Sequence, residues 1–250
     1  MCGKMMDIWA MTDIGLVRKE NQDAYMVSEH TSSGHTICVV CDGMGGSAGG
    51  RIASSIAVET FIRELQKILQ PEMTAEQLKE AASFAVSLAN QAIGEAAEAN
   101  PEYLNMGTTL VAAITCGDEV VCINVGDSRA YHISEGGIHR ITKDHSLVER
   151  MVDQGEITQE EARRHPSRNL ITRALGLDMD AQCDKFLSPL AREEYILLCT
   201  DGLSGTVTDQ EMLFEVIHGG DPSNCLERLL EIAKSQGAPD NITAVLMRKL

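Results

Sequence analysis

Aromatic residues, positive charge and long apolar runs are all scarce in this chain of 250 residues. Only 4% of the residues are aromatic, so the core must be built from Ile, Leu, Val, Ala and Met, which the hydrophobic content of 44% supplies. No segment reaches the roughly 20 apolar residues of a membrane-spanning helix, and the N-terminus lacks the apolar stretch of a signal peptide. A formal net charge of -16 argues against nucleic acids and anionic membranes as partners. We therefore expect a cytoplasmic protein that binds neither.

The eight cysteines do not form a disulfide pattern. Five fall in or beside apolar runs, where a thiol packs as a small hydrophobic group: Cys38, Cys41, Cys116, Cys122 and Cys199. Cys38 and Cys41 have the spacing of a redox pair, but residues three apart on a strand lie on opposite faces of the sheet. We therefore predict reduced thiols in a reducing compartment.

The predicted elements follow an order that argues against a parallel sheet. Strands are predicted near residues 6–14, 24–28, 35–42, 107–115, 120–126, 129–133, 138–142, 181–187, 194–200 and 241–248. Helices are predicted over 47–70 and 74–100, near 144–153, and from Thr158, Thr208 and Asp221 onwards. This order lacks βαβ alternation. We predict an α+β fold in a single domain, 1–250: two antiparallel sheets flanked by helix pairs in four α-β-β-α layers, with the strands between 107 and 142 forming one meander.

The segment 144–176 is more polar than its surroundings. It holds a basic cluster inside an acidic protein, made of Arg163, Arg164, His165, Arg168 and Arg173. We interpret this segment as an inserted, partly mobile part of the chain.

Aspartates recur where apolar strands end. Asp42 and Asp201 each follow a buried strand and precede a glycine. Asp127 and Asp240 lie in two further polar turns. Carboxylate oxygens are the ligands that Mg²⁺ and Mn²⁺ prefer, and the glycine lets the chain turn sharply beside the ion. The combination predicts a metal site and therefore an enzyme.

Two such ions, about 3.5–4 Å apart, would share Asp42 and hold a water molecule between them. They would lower the pKa of that water by several units and make hydroxide available near neutral pH for in-line attack on phosphorus. Arg18 lies in the polar stretch 13–23, and its guanidinium can bind two phosphate oxygens at once.

Seven stretches together resemble the metal-dependent protein phosphatases, the PPM or type 2C serine/threonine phosphatases, in their compact bacterial form. They are 13–23, 39–46, 107–109, 125–130, 142–146, 198–202 and 239–243. They occur in the family's order and span essentially the whole chain. The resemblance implies a β-sandwich flanked by helix pairs around a binuclear Mn²⁺/Mg²⁺ centre.

The resemblance also implies roles for individual residues. Asp42 would bridge the two metal ions, and Gly43 would bind one of them through its carbonyl. Asp201 and Asp240 would complete the second ion's site, and Asp127 would help to hold a third ion.

Other residues would support this centre. Arg18 would bind the substrate phosphate, while Gln22, Asp23 and Asn241 would be supporting groups. The segment 144–176 would be the flap beside the active site.

The chain departs from the family pattern at three positions. Gln22 replaces a glutamate common in the family, which removes a charge and would weaken metal binding. Met44 stands where eukaryotic members have a candidate general acid, and Ser47 stands where many bacterial relatives have a histidine. His145 and His165 are then the candidate acids, and a metal-bound water is the alternative.

The resemblance implies a serine/threonine phosphatase that hydrolyses phosphoserine and phosphothreonine with two Mn²⁺ or Mg²⁺ ions, and possibly a third. Its partners would be phosphorylated proteins and a cognate serine/threonine kinase whose action it reverses. We expect a monomer.

Three other interpretations were weighed. The glycines after Asp42 have the form of a dinucleotide-binding fingerprint, but Asp42 would face a pyrophosphate, and the next element is a second helix instead of a returning strand. A catalytically inactive binding module should have lost metal ligands, and all four core positions are present. A phosphatase with one narrow regulatory target, such as a transcription-factor antagonist, stays open.

Overall fold

The computed structural model describes residues 6–29, 32–177 and 182–250. The strands are β1 Met6–Asp13, β2 Asp23–Ser28, β3 Ile37–Met44, β4 Gly107–Thr108, β5 Leu110–Cys116, β6 Glu119–Val125, β7 Arg129–Ser134, β8 Gly137–Arg140, β9 Asp184–Pro189, β10 Tyr195–Cys199 and β11 Ile242–Lys249. The helices are α1 Gly46–Ile68, α2 Ala75–Ala99, α3 Leu147–Asp153, α4 Gln159–Arg164, α5 Asp201–Ser204, α6 Asp209–His218 and α7 Cys225–Ser235. No helix in these ranges is long and apolar enough to cross a membrane.

Two antiparallel sheets stack face to face. One has the order β1-β11-β10-β7-β8, and the other has β2-β3-β5-β6-β9 with β4 paired to β3. An apolar core fills the space between the sheets, a second lies between the β3 sheet and α1 and α2, and a third lies between the β10 sheet and α6 and α7. The predicted four-layer α-β-β-α sandwich is confirmed.

The predicted meander over 107–142 is wrong in its pairing. β5 and β6 belong to one sheet, whereas β7 and β8 belong to the other. The chain crosses between the sheets at Gly126, whose φ of 104° favours glycine. A Cβ there would lie 2.5 Å from Thr109 Cγ2, so the turn is also too tight for a side chain. This crossing places Asp127 where the two sheets meet.

Local sequence signals located most helix starts correctly. Thr74, Thr158 and Thr208 each form the predicted capping box at the start of α2, α4 and α6. The helix predicted from Asp221 begins instead as a short 3₁₀ turn, because the Asp221 side chain accepts from the Ser223 N–H, and α7 follows it. The first residue of the strand predicted over 181–187 lies outside the described residues, and β9 begins at Asp184.

The thiol prediction agrees with the packing. Cys41 lies in the core under α1, whereas Cys38 lies in the core between the sheets, so the two occupy opposite faces of β3. All cysteines in the described ranges are free thiols.

Candidate metal centre

Asp42 lies near the end of β3, and its backbone is held by the neighbouring chain. Its N–H donates to Thr109 Oγ1 at 2.9 Å. Its carbonyl accepts from the Thr109 N–H at 2.9 Å and from Thr108 Oγ1 at 2.8 Å. A Cβ on the following Gly43 would lie 2.1 Å from the Gly50 carbonyl oxygen, so only glycine fits. The backbone is therefore fixed at the position predicted to bridge two metal ions.

Asp201 and Asp240 reach the centre from the other sheet. Asp201 opens α5 after β10, and Asp240 comes just before β11, which pairs with β10. A Cβ on Gly202 would lie 1.9 Å from the Asn241 carbonyl oxygen, so glycine allows α5 to pack against the turn before β11. The side chains of Asp201 and Asp42 contact each other, which joins the two halves of the centre.

The carboxylates of the centre are wholly or partly buried and repel one another. Burial raises the pKa of Asp42, Asp127 and Asp201, and the neighbouring carboxylates add to the shift. The same two effects raise the pKa of Asp23 to about 7, although Thr200 Oγ1 donates to Asp23 Oδ2 at 2.9 Å. The Oδ1 atoms of Asp23 and Asp201 are buried without a hydrogen-bond partner. A divalent cation would reverse this repulsion, so these residues fit a Mg²⁺ or Mn²⁺ site.

Asp240 pairs with Arg18 at the rim of the centre. Arg18 Nη2 donates to Asp240 Oδ2 at 2.6 Å, and this contact raises the pKa of Arg18. The Arg18 charge also acts on Asp42 and Asp201, so the structure brings together the residue predicted to bind phosphate and those predicted to bind metal.

Among the described residues, no three His, Cys, Asp or Glu side chains are grouped closely enough to hold a metal ion. A metal ion at Asp240 would compete with Arg18 for the same carboxylate.

Asn241 ties the loop that carries Arg18 to the centre. Its Oδ1 accepts from the Gln22 N–H at 2.9 Å, and its Nδ2 donates to the carbonyls of Ile14 and Glu20, both at 3.0 Å. The Gln22 side chain donates at 2.9 Å to a carbonyl in the first turn of α1. Both residues therefore hold backbone segments together around the centre.

Asp127 is connected to Asp42 through its neighbour Ser128 and through Thr109. Thr109 Oγ1 lies 2.7 Å from Ser128 Oγ and also accepts from the Asp42 N–H.

A cleft of about 460 Å³ runs from Asp127 and Asp201 towards the segment 144–176, which we call the flap.

The basic cluster of the flap is divided by the structure. Arg163 and Arg168 line the cleft. Arg164 pairs instead with Glu160 at 2.7 Å, and Arg173 pairs with an acid of β9 at 3.0 Å. Only part of the cluster is placed to meet a substrate.

The two candidate general acids are engaged within the fold. His145 is buried, and its Nδ1 accepts from a backbone N–H at 3.0 Å. Nδ1 of His165 accepts from another backbone N–H at 3.1 Å. Met44 lies in β3 opposite β4, and the side chain of Ser47 lies outside the described part of the chain.

Sequence reasoning assigned no role to an ion network beside Asp127. Arg129 holds Asp144 through Nε to Oδ1 at 3.0 Å and Nη2 to Oδ2 at 2.6 Å. Arg140 donates to Glu149 at 2.9 Å, and both acids of the network are buried. The arginines that form this network are visible in the sequence on two adjacent predicted strands, and they were the signal that could have indicated it.

Residues 17–247 match the Protein phosphatase 2C family, and the chain belongs to that family. It is 36% identical to the serine/threonine phosphatase stp of Listeria monocytogenes over 95% of this chain and 94% of the relative. Its fold matches the crystal structure of serine/threonine phosphatase Stp1 from Staphylococcus aureus with a TM-score of 0.90, at 34% identity over 99% of this chain and 96% of that one. The chain is a serine/threonine protein phosphatase. The catalytic domain of PstP in complex with two manganese ions is similar over 98% of both chains, with a TM-score of 0.83 and 31% identity.

Proposed function

We propose that this phosphatase hydrolyses phosphoserine and phosphothreonine in proteins at a binuclear Mn²⁺ or Mg²⁺ centre. The observation that carries the proposal is the convergence of wholly or partly buried carboxylates from two sheets, which repel one another and two of whose oxygens have no hydrogen-bond partner. The two manganese ions in the similar PstP structure support it. Bound metal would supply a polarised phosphate and a water of lowered pKa.

The proposed ligands are the residues that the fold delivers to this point. Asp42 would hold both ions, and Gly43, where only glycine fits beside Gly50, would offer its backbone carbonyl. Asp201 and Asp240 would hold the second ion, and Asp127 would help to hold a third.

Arg18 is proposed to orient the phosphate. Its side chain is 53% exposed, so it can turn from Asp240 to a ligand, and its planar guanidinium can donate two parallel hydrogen bonds to phosphate oxygens. His145 Nε2 lies 3.2 Å from Asp184 Oδ2, and the flap lines the cleft with Arg163 and Arg168 instead of His165, so we infer that the leaving hydroxyl takes its proton from solvent in the open cleft.

We further propose a single domain, 1–250, that acts as a cytoplasmic monomer on proteins phosphorylated by a cognate kinase. The core shared by the two sheets supports one domain, and the net charge of -16 favours separate, soluble copies. The dinucleotide interpretation is not supported, because α2 and antiparallel strands follow the glycines instead of a βαβ unit.

The proposal is tested by hydrolysis of p-nitrophenyl phosphate with Mn²⁺, with EDTA, and with Asp201→Asn in parallel. We expect activity that needs metal and falls at least about a thousandfold in the variant, because a ligand of an ion that would activate the water is lost. Asp118→Asn is the matched control, since this side chain is 96% exposed. Activity in EDTA, or full activity of Asp201→Asn, would contradict the proposed centre.

A further inference from the structure

His145, at the start of the flap, connects the turn that carries Asp127 to Thr172 near the end of the flap. Its backbone N–H donates to the Gly126 carbonyl at 2.9 Å, and its own carbonyl accepts from the Thr172 N–H at 2.7 Å. Its ring Nδ1 accepts from the Gly126 N–H at 3.0 Å. One buried residue of the flap therefore bonds to both polar atoms of the Gly126 backbone and to the backbone of Thr172.

These contacts fix the tautomer of the ring. A backbone N–H can only donate, so Nδ1 must carry a lone pair and the proton of the neutral ring lies on Nε2. Nε2 is 3.2 Å from Asp184 Oδ2, which can accept that proton's hydrogen bond. Arg173 Nη1 also lies 3.2 Å from Nε2, but it has an acceptor of its own in Asp184 Oδ1 at 3.0 Å. Burial lowers the pKa of His145, which favours this neutral form.

The Gly126 turn has little freedom of its own. Its carbonyl accepts a second hydrogen bond, from Asn124 Nδ2 at 3.1 Å. Its φ of 104° favours glycine, and the close approach of Thr109 leaves no room for a side chain there. The direction of the next residue, Asp127, is therefore set by what holds Gly126.

We propose that His145 is a positioning residue that orients Asp127 for metal binding and makes that orientation depend on the docked flap. The inference rests on the proposed function, because it takes Asp127 as a metal ligand. Partners that orient a ligating carboxylate typically account for about 10–100-fold in metal affinity. His145 acts through Gly126 on one side and through Thr172 and Asp184 on the other.

Two substitutions separate the contacts of the ring. Asparagine places its carbonyl oxygen near the position of Nδ1 and can still accept from the Gly126 N–H. Glutamine places its amide nitrogen near Nε2, so it can still donate to Asp184 but leaves the Gly126 N–H without an acceptor. The exposed His139 on β8 provides a matched control, His139→Gln.

The experiment measures Mn²⁺ binding by the electron paramagnetic resonance signal of free Mn²⁺, together with hydrogen exchange at the Gly126 amide. We expect His145→Gln to weaken one class of Mn²⁺ sites, that of the third ion, at least about tenfold, on the scale of lost outer-shell partners, and to speed Gly126 exchange. His145→Asn and His139→Gln should stay within about threefold of wild type, since both keep the Gly126 hydrogen bond.

Equal Mn²⁺ binding and equal Gly126 exchange in His145→Gln and wild type would overturn this inference alone, as would an equal loss in His145→Asn and His145→Gln. A wild-type protein that binds no Mn²⁺ would overturn the proposed metal centre as well. Should His145→Gln fail to fold, the wild-type protein decides: slow exchange at Gly126 supports the role, and exchange as fast as in an exposed loop rejects it.

Discussion

The candidate metal centre and the neighbouring ion network both hold acids that are wholly or partly buried. The acids of the network are paired with arginines of the chain, whereas most of those in the candidate centre are not. In the network, Asp144 and Glu149 are buried against Arg129 and Arg140, with several contacts of 3.0 Å or less. That group is complete within the chain and needs no ligand.

The carboxylates around Asp42 are met by no such set of arginines among the described residues. Arg18 reaches them from the rim, and two carboxylate oxygens remain without a hydrogen-bond partner. Burying uncompensated charge destabilises a fold, so such a group persists where something else supplies the counter-charge. A structural acid therefore differs from a candidate metal ligand mainly in that the chain itself supplies its counter-charge, and less in how deeply it is buried.

The largest expected effect concerns stability and tests the network directly. Asp144→Ala leaves Arg129 with an uncompensated, largely buried charge, and loss of one partner of a buried pair typically costs about 3–5 kcal/mol in the free energy of unfolding. Asp42→Asn should instead leave the metal-free protein as stable as wild type or more so, because it removes a repelling group. Urea unfolding in EDTA compares the two, and equal losses would erase the distinction.

The next effect concerns Arg18 at the rim of the candidate metal centre. Arg18→Ala should raise KM for p-nitrophenyl phosphate about tenfold with a smaller change in kcat, because it removes a contact made already in the ground state. Arg51→Ala is the matched control, since Arg51 is 52% exposed and pairs with Glu20 at 2.9 Å. An unchanged KM would show that Arg18 does not bind the phosphate.

The smallest effect is a pH dependence of the metal-free protein. The pKa of Asp23 is raised to about 7 in the folded state, above its value in the unfolded state. At pH values between these two pKa values, the folded state therefore binds more protons than the unfolded state. This contribution to stability is present at low pH and is lost as pH rises through about 7. We expect Tm in EDTA to fall by a few degrees between pH 6 and pH 8, a change on the order of 1 kcal/mol. A Tm that rises over this interval would show that the centre is not electrostatically strained.

Local features of the fold were predictable from the sequence. The capping boxes at Thr74, Thr158 and Thr208 bond within one turn, so their signal lies in adjacent residues. The Asp-Gly turns at Asp42 and Asp201 are equally local, and the structure brings both to one place. Their roles as ligands remain proposals.

Features that depend on distant partners were not predictable in the same way. The crossing at Gly126 follows from its contact with Thr109, and four-residue α5 is too short to show a helical period. The links from His145 to the Asp127 turn and to the flap join residues separated along the chain, and no local pattern marks them.

The antiparallel pairing of β1 with β11, in which Met6 lies opposite Lys249, has a consequence during protein synthesis. Asp42 is made early and Asp240 late, and the turn that holds Asp240 and Asn241 leads directly into β11. A ribosome-bound chain that ends before residue 242 lacks the strand next to β10 and cannot assemble both halves of the centre. Phosphatase activity should therefore begin only after β11 has left the ribosome.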